Sequence, residues 1–312
     1  MDSNVLVLGY GAVGQATVAH LLDKGYAVCV AQRKQPAHLP AGVHFKACDV
    51  LNAASVKDCL EGFEQLVVAI GFEYTTQTWQ HHWPIAMRHL VDASCLLGLR
   101  VVFVDNLYMY GPQTVPLTED MSLTSHPGKP AVRAEITRIW EDAVRTKGLR
   151  FTALRAPDFF GPKVLLSQFG EVVFGNLAKG QTAQFLVPID QAHDFAYVPD
   201  IARAVALLLQ APDADFGQVW HMPSAPTATA RQLLDIGASS LGATPKVFSF
   251  PLWALRLLGL FLPIAKELWA MRFQWDRPYR VNADKFTKRF EFTPTPFSES
   301  MAATAKSFAS DR

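Results

Sequence analysis

The chain opens with Val5-Leu-Val-Leu followed at once by Gly9-Tyr10-Gly11-Ala12-Val13-Gly14. Four consecutive apolar residues suit a strand buried on both faces, and glycines at this spacing suit a tight turn into a helix. Gly9 permits the turn, Gly11 brings backbone close to whatever lies over it, and Gly14 lets the helix pack against the strand. A helix that starts this way presents unpaired N–H groups and the positive end of its dipole to an anion. The segment therefore predicts a parallel α/β sheet with a pyrophosphate-binding turn at Gly9, Tyr10, Gly11, Ala12, Val13 and Gly14.

The rest of the first half sustains that architecture. Short apolar runs at 4–8, 27–32, 43–47, 65–70, 100–104 and 150–155 alternate with amphipathic stretches at 13–24, 53–60, 78–97 and 131–147, which predicts a doubly wound sheet with helices on both faces. Beyond Arg155 the alternation loosens. A loop is expected at 158–162, helices at 167–179, 199–210 and 230–241, a strand at 218–222, and one or two short apolar helices from Phe250 onward, broken at Pro263. A chain of 312 residues exceeds what one core comfortably holds, so two lobes are expected. The assignment is 1–160, with 191–222 returning to it, for the sheet domain, and 161–190 with 223–312 for a smaller, mostly helical substrate lobe.

Charge and motif content narrow the function. Twenty-nine Lys and Arg balance 28 Asp and Glu, so no overall field steers the chain to nucleic acid, and a small-molecule ligand fits better. Cys29, Cys48, Cys59 and Cys95 form no CxxC pair and read as buried free thiols of a reducing compartment. The opening Met1-Asp2-Ser3-Asn4 has no basic leader, and the apolar stretch 247–264 is interrupted by Pro251, Arg256 and Pro263, so a cytoplasmic protein without a membrane span is expected. No GxSxG, HExxH or phosphate-loop pattern occurs, and His81, His82 and His89 lack a carboxylate at metal-site spacing, so no metal is expected.

About 20 residues past the glycine turn, an acidic side chain would bond a ribose 2′-hydroxyl. Here the sequence reads Gln32-Arg33-Lys34. Arg33, helped by Lys34, suits a 2′-phosphate and points to NADP(H), with NAD as the alternative; a solvated basic loop is the competing reading. Asp49 and Val50 after the third strand are placed for the adenine edge, and Ala69-Ile70-Gly71 after the fourth lets the cofactor backbone pass closely.

Three further segments carry a family resemblance. Phe103-Val-Asp-Asn-Leu-Tyr-Met-Tyr-Gly111, Leu154-Arg-Ala-Pro-Asp-Phe-Phe-Gly-Pro162 and His193-Asp-Phe-Ala-Tyr-Val-Pro-Asp-Ile-Ala202 resemble runs of the NAD-dependent epimerase/dehydratase family, within the extended short-chain dehydrogenase/reductase superfamily. The resemblance covers roughly residues 4–240 and implies a Rossmann fold. Its glycine spacing departs from the family's commoner GxxGxxG and is similar to that of atypical members. The resemblance also implies a Ser or Thr, a Tyr and a Lys four residues after that Tyr. No tyrosine here has Lys at that offset. Aligned on the flanking motifs, Asn106 takes the Ser place, Lys129 the Tyr place and Arg133 the Lys place.

Arg133 retains donors for ribose hydroxyls, and Asn106 can polarise a carbonyl oxygen or else cap a turn. The proton donor is Lys129, whose competing reading is an exposed lysine at a helix start, or a tyrosine leaving the sheet edge, of which Tyr108 is freer than Tyr110, the packing tyrosine of the resemblance. Pro157 is assigned to the cofactor, and Asp194 and Tyr197 to bracing. The expected function is an NADP(H)-dependent oxidoreductase acting on a small, apolar carbonyl, alcohol or activated alkene. The alternatives are a nucleotide-sugar epimerase or dehydratase, and a non-catalytic NADP(H) sensor or assembly factor. The resemblance suggests a homodimer through the 78–97 and 131–147 helices. The aromatic region from Phe248 to Trp275 is open to three readings: the small lobe's core, the lining of an apolar pocket, or a membrane-touching face. Arg272, Arg277 and Arg280 beside it hold a substrate anion or are surface charge.

Overall fold

In the computed structural model, which describes residues 4–309, the apolar runs of the first half assemble into one sheet. Met1–Ser3, on which the expectation of no leader partly rests, lie outside the described residues. Strands β1 (Asn4–Leu8), β2 (Ala27–Gln32), β3 (His44–Ala47), β4 (Gln65–Val68), β5 (Arg100–Asp105) and β6 (Arg150–Arg155) pair in parallel. Val219–His221 extends the β6 edge, giving the order Val219–His221, β6, β5, β4, β1, β2, β3. The order reverses at β1, which lies between β2 and β4. In open α/β sheets, ligands bind beyond the carboxyl ends of the strands at such a switch point.

Helices α1 (Ala12–Asp23), α2 (Ala53–Leu60), α3 (Thr76–Leu97) and α4 (Lys129–Lys147) cover this sheet. The Thr75 hydroxyl accepts from the Thr78 N–H at the start of α3, and Gly98 ends the helix in the left-handed region. Pro84 lies inside α3, which continues through it because Trp79, Trp83, Met87 and Leu90 bury one stripe. On α4 the buried stripe is Val132, Ile136, Trp140 and Ala143. Rings link both helices to the sheet: Trp83 lies 6.0 Å from Phe103, and Trp140 stacks 5.0 Å from Phe151.

The described chain separates into two compact units, one comprising residues up to 111, 122–155 and 201–220, and the other 112–121, 156–200 and from 221 onward. The second has its own apolar core, built on Phe160, Phe169, Phe174, Phe195, Leu234 and Met301.

Several local expectations are corrected. Asp158–Phe160, expected as loop, is a strand parallel to Phe195–Tyr197, formed because distant backbone pairs with it rather than by any periodicity of its own. The helix expected at 167–179 begins only at Gly170, with a π-helical turn over Gly170–Gly175 before Asn176–Ala178. Glycine at both ends of that turn weakens ordinary helix formation. Helices at Asp284–Phe290 and Phe297–Ala309 were not expected. Cys29, Cys48 and Cys59 are buried free thiols, but Cys95, on the flank of the α3 stripe, is only half-buried.

Candidate functional site

The glycine turn leaves β1 at Gly9, whose φ of +100° suits glycine alone. A Cβ on Gly9 would meet the Ala69 carbonyl oxygen at 2.5 Å, and one on Gly14 would meet the Gly9 carbonyl oxygen at 2.0 Å. A Cβ on Gly11 would meet nothing within 4 Å. Two glycines are thus required by crowding and the third faces open space. Gly11 is also the N-cap of α1 and supplies no side-chain cap to the first-turn N–H groups. The turn is pinned from both sides, since Gly9 N–H donates to the Ala31 carbonyl and Ala69 N–H to the Leu8 carbonyl, each at 2.8 Å.

At the end of β2 the Gln32 side chain closes on the turn. Its Oε1 accepts from the Tyr10 N–H at 3.3 Å, and its Nε2 donates to the Lys34 carbonyl at 2.7 Å. Gln32 thus braces the turn without supplying a carboxylate, and Arg33 and Lys34 beyond it are exposed. Asp49 is exposed, with its carboxylate accepting from Leu51 N–H at 3.0 Å, and Val50 is buried. Ala69 and Ile70 are half-buried, and Gly71 has open space where a Cβ would lie.

Under the carboxyl end of β5 lies a buried charge cluster. Arg133 Nη1 donates to Asp105 Oδ1 at 2.8 Å, and Arg155 Nε lies 3.9 Å from Asp105 Oδ2. Burial pushes the Asp105 carboxyl up and the Arg133 guanidinium down, each opposed by the other's charge. The Arg133 guanidinium carbon sits 3.9 Å from the Trp83 ring centre and 4.7 Å from that of Trp79. Arg155 also donates to the Tyr110 hydroxyl at 2.7 Å and to Thr137 at 3.0 Å, so Tyr110 is held in packing. Asp105 lies between the two guanidinium groups in a poorly solvated place, and the Arg155 charge also reaches the carboxyl of Glu141.

Above this cluster the predicted catalytic residues converge. Asn106 Oδ1 accepts from the Tyr108 N–H at 3.0 Å, and Asn106 N–H donates to Asp105 at 2.8 Å. The Asn106 oxygen therefore caps the turn out of β5. Tyr108, half-buried, stacks on Trp79 at 6.0 Å, and its hydroxyl lies 3.4 Å from that of Tyr74. The Lys129 ammonium, almost fully buried, lies 4.1 Å from the Tyr74 ring centre and 3.5 Å from the Thr76 hydroxyl. Asn106, Tyr108, Lys129 and Arg133 are thus joined through Asp105, Tyr74 and Trp79, three residues that sequence reasoning did not single out. A signal for Asp105 was present, because a cation at 133 inside an apolar helix face demands a buried counter-ion.

Of the other residues singled out by sequence, Pro157 is buried and belongs to the second unit. There Asp194 accepts from the Val281 N–H at 2.7 Å, and the Tyr197 ring packs 5.4 Å from Phe160. His81 and His89 bond backbone carbonyls of Gln77 and Val50, and His82 packs edge-on against Phe72. Among the described residues no helix is long and apolar enough to cross a membrane.

Comparison with known proteins agrees with this geometry. No curated protein matches the sequence. Solved structures share the fold across nearly the whole chain. UDP-glucuronic acid 4-epimerase from Bacillus cereus, in complex with NAD, is 14% identical, with a TM-score of 0.79 and coverage of 98% of this chain and 99% of that one. DesIV, a dTDP-glucose 4,6-dehydratase from Streptomyces venezuelae with NAD bound, is 20% identical, with a TM-score of 0.78 and coverage of 99% and 98%. The Bordetella bronchiseptica enzyme WbmH, in complex with NAD+, is 15% identical, with a TM-score of 0.77 and coverage of 99% and 98%. The sequence model of the NAD dependent epimerase/dehydratase family matches residues 5–221. With its reversed sheet order and its crowded glycine turn, this chain belongs to the NAD dependent epimerase/dehydratase family.

Proposed function

We propose that this protein is a nicotinamide-dinucleotide-dependent enzyme acting on a carbinol carbon of a nucleotide sugar. The observation that carries the reading is the glycine turn, with Gly9 and Gly14 closed to any side chain and Gly11 open above the uncapped start of α1. That combination fits a pyrophosphate, which would be held by the Gly9 to Gly14 backbone. Asp49 and Val50 would flank the adenine, and Ala69 to Gly71 would let the dinucleotide pass. Gln32 offers no carboxylate to a ribose 2′-hydroxyl, and the exposed Arg33 and Lys34 suit a 2′-phosphate, which favours NADP(H) over the NAD of the structural neighbours. When bound, the cofactor would supply the hydride acceptor and donor.

The chain's own residues would manage the proton. Tyr108 is the acid and base, being half-buried and tied to Tyr74 rather than locked in packing as Tyr110 is. Arg133 and Lys129 stabilise the negative charge that develops on its oxygen as the proton leaves. Asn106, its oxygen already engaged, turns its amide N–H toward the substrate oxygen. Arg133 commits Nη1 to Asp105 and keeps other N–H groups for ribose hydroxyls.

Nucleotide sugars are favoured because the family matches and because two of the neighbours above act on them by name. Arg33 and Lys34 favour a second reading, a reductase that consumes free NADPH on a small carbonyl. The test is to incubate the protein with NAD(P) and UDP- or dTDP-sugars, following products by NMR and the nicotinamide by absorbance. Sugar conversion without net change in nicotinamide, lost about 100-fold or more in Tyr108→Phe, is expected. Net NADPH consumption with carbonyls alone would select the second reading, and dinucleotide binding without any turnover would overturn both.

A further inference from the structure

The region from Phe248 to Trp275 divides between buried and exposed rings. Phe273 and Trp275 are buried in the second unit, but the helical hairpin of Leu252–Leu258 and Pro263–Ala270 turns its apolar face outward. Trp253 is 67% exposed, Leu260 75% and Phe261 83%, with Leu257, Leu262 and Ile264 each about half exposed or more. Trp253 and Leu257, four residues apart on the first helix, lie on one side of it, and Leu260 and Phe261 occupy the turn that follows. Leu255 and Ala265 face the other way and are buried, which anchors the hairpin. Scattered exposed apolar residues need no explanation, but a contiguous set carried by one hairpin does.

Charge says what covers it. Between Lys246 and Arg280 there are six Lys and Arg and two acidic residues, Glu267 and Asp276, in a chain whose whole balance is +1. Arg256 and Lys266 are exposed on the two arms of the hairpin and make no ion pair among the described residues. Arg272 flanks the base, 4.5 Å from the Trp269 ring centre. A second copy seated on this face about a two-fold axis would bring these cations together, whereas an anionic surface complements them. Exposed Trp, Phe and Leu carried on the same segment as exposed Arg256 and Lys266 is the composition of a segment lying in a lipid interface.

We propose that the Leu252–Leu258 and Pro263–Ala270 hairpin docks this protein on an anionic phospholipid bilayer, with Trp253, Leu260 and Phe261 entering the interface and Arg256, Lys266 and Arg272 meeting the headgroups. The protein then lies on the membrane without spanning it, consistent with the absence of a spanning helix among the described residues. Short basic segments of this kind gain affinity from each cation near the surface and lose it with salt.

The test is co-sedimentation of the full chain with vesicles of phosphatidylcholine, with or without ~30% phosphatidylglycerol, at low and high salt. Partition onto the anionic vesicles at least about tenfold above the neutral ones, weakening with salt, is expected. The doubly substituted Leu260→Ser, Phe261→Ser chain should lose that partition at an unchanged melting temperature, since both side chains are exposed. Arg256→Gln with Lys266→Gln should lose the preference for the anionic vesicles. Equal or no partition onto both vesicle types overturns the proposal. So does a wild-type dimer that the serine substitutions make monomeric while no vesicle binding is seen, because a second copy would then cover the face.

Discussion

At the scale of single residues, the three turn glycines make separable demands. Gly14→Ala drives a methyl to within 2.0 Å of a backbone oxygen that cannot move without displacing Gly9, so it should cost the fold ~1–3 kcal/mol or more through overpacking. Gly11→Ala adds its methyl to open space at an ordinary φ of −74°. It should leave the melting temperature within a degree or so while lowering dinucleotide affinity by about tenfold or more, because the methyl occupies the room a pyrophosphate needs. Calorimetric titration beside a thermal melt separates the two effects, and a Gly11→Ala chain that binds normally would falsify the assignment of that space. A second residue-scale prediction concerns Asp105. Asp105→Ala leaves Arg133 buried without its paired carboxylate and Arg155 with only the field of Glu141, and should destabilise the chain by ~3–5 kcal/mol. A chemical denaturation midpoint unchanged from the parent would show that water reaches the cluster. The glycines were legible because their reason is local. For Asp105 only the need of a buried cation at 133 for a counter-ion was legible; which carboxylate supplies it was not, because Asp-Asn after a strand reads as a turn and its burial is decided by cations arriving from α4 and β6.

Among the elements, the first half was legible nearly residue by residue, and for a physical reason. A strand of four to six residues buried on both faces carries its own apolar signature, and α3 and α4 carry theirs in stripes of Trp, Ile, Val and Leu. The second unit is built differently. Asp158–Phe160, Ala183–Phe185 and Val247–Ser249 are three-residue strands, too short for any period, and each exists because a distant segment pairs with it. Its helices also meet at contacts rather than along stripes. On the Ala230–Ser239 helix, a Cβ at Gly237 would lie 2.3 Å from Cζ of the buried Phe174 ring. Gly237→Ala should therefore lower stability by ~1–3 kcal/mol despite the better helix propensity of alanine. Paired with Phe174→Leu, which shortens the opposing side chain, the same change should cost measurably less. A double-mutant cycle on the melting curves reads the difference, and additive costs would mean that the glycine is there for some reason other than Phe174.

For the whole molecule, a net charge of +1 gives no long-range field to choose between anionic ligands, so selection must come from charges placed one at a time. Arg33 and Lys34 are placed in that way, exposed at the end of β2 just beyond Gln32, whose amide is already spent on the turn. A 2′-phosphate adds up to about two negative charges, and each exposed ion pair with it is worth ~0.2–1 kcal/mol, weakened by salt. On the proposed reading, two cations together should give roughly tenfold preference for NADP over NAD. The folded state should report this directly, since a ligand at 100 times its dissociation constant adds ~2.7 kcal/mol and raises the melting temperature by several degrees. NADP should therefore shift the melting curve more than NAD at equal concentration, and the gap should narrow as salt rises. Arg33→Glu with Lys34→Glu should reverse the order without altering the melting temperature of the ligand-free chain, because neither side chain is buried. Equal shifts by the two dinucleotides in the parent chain would mean that the cations at the end of β2 are solvated surface charge, and that selection, if any, is made by Gln32 alone.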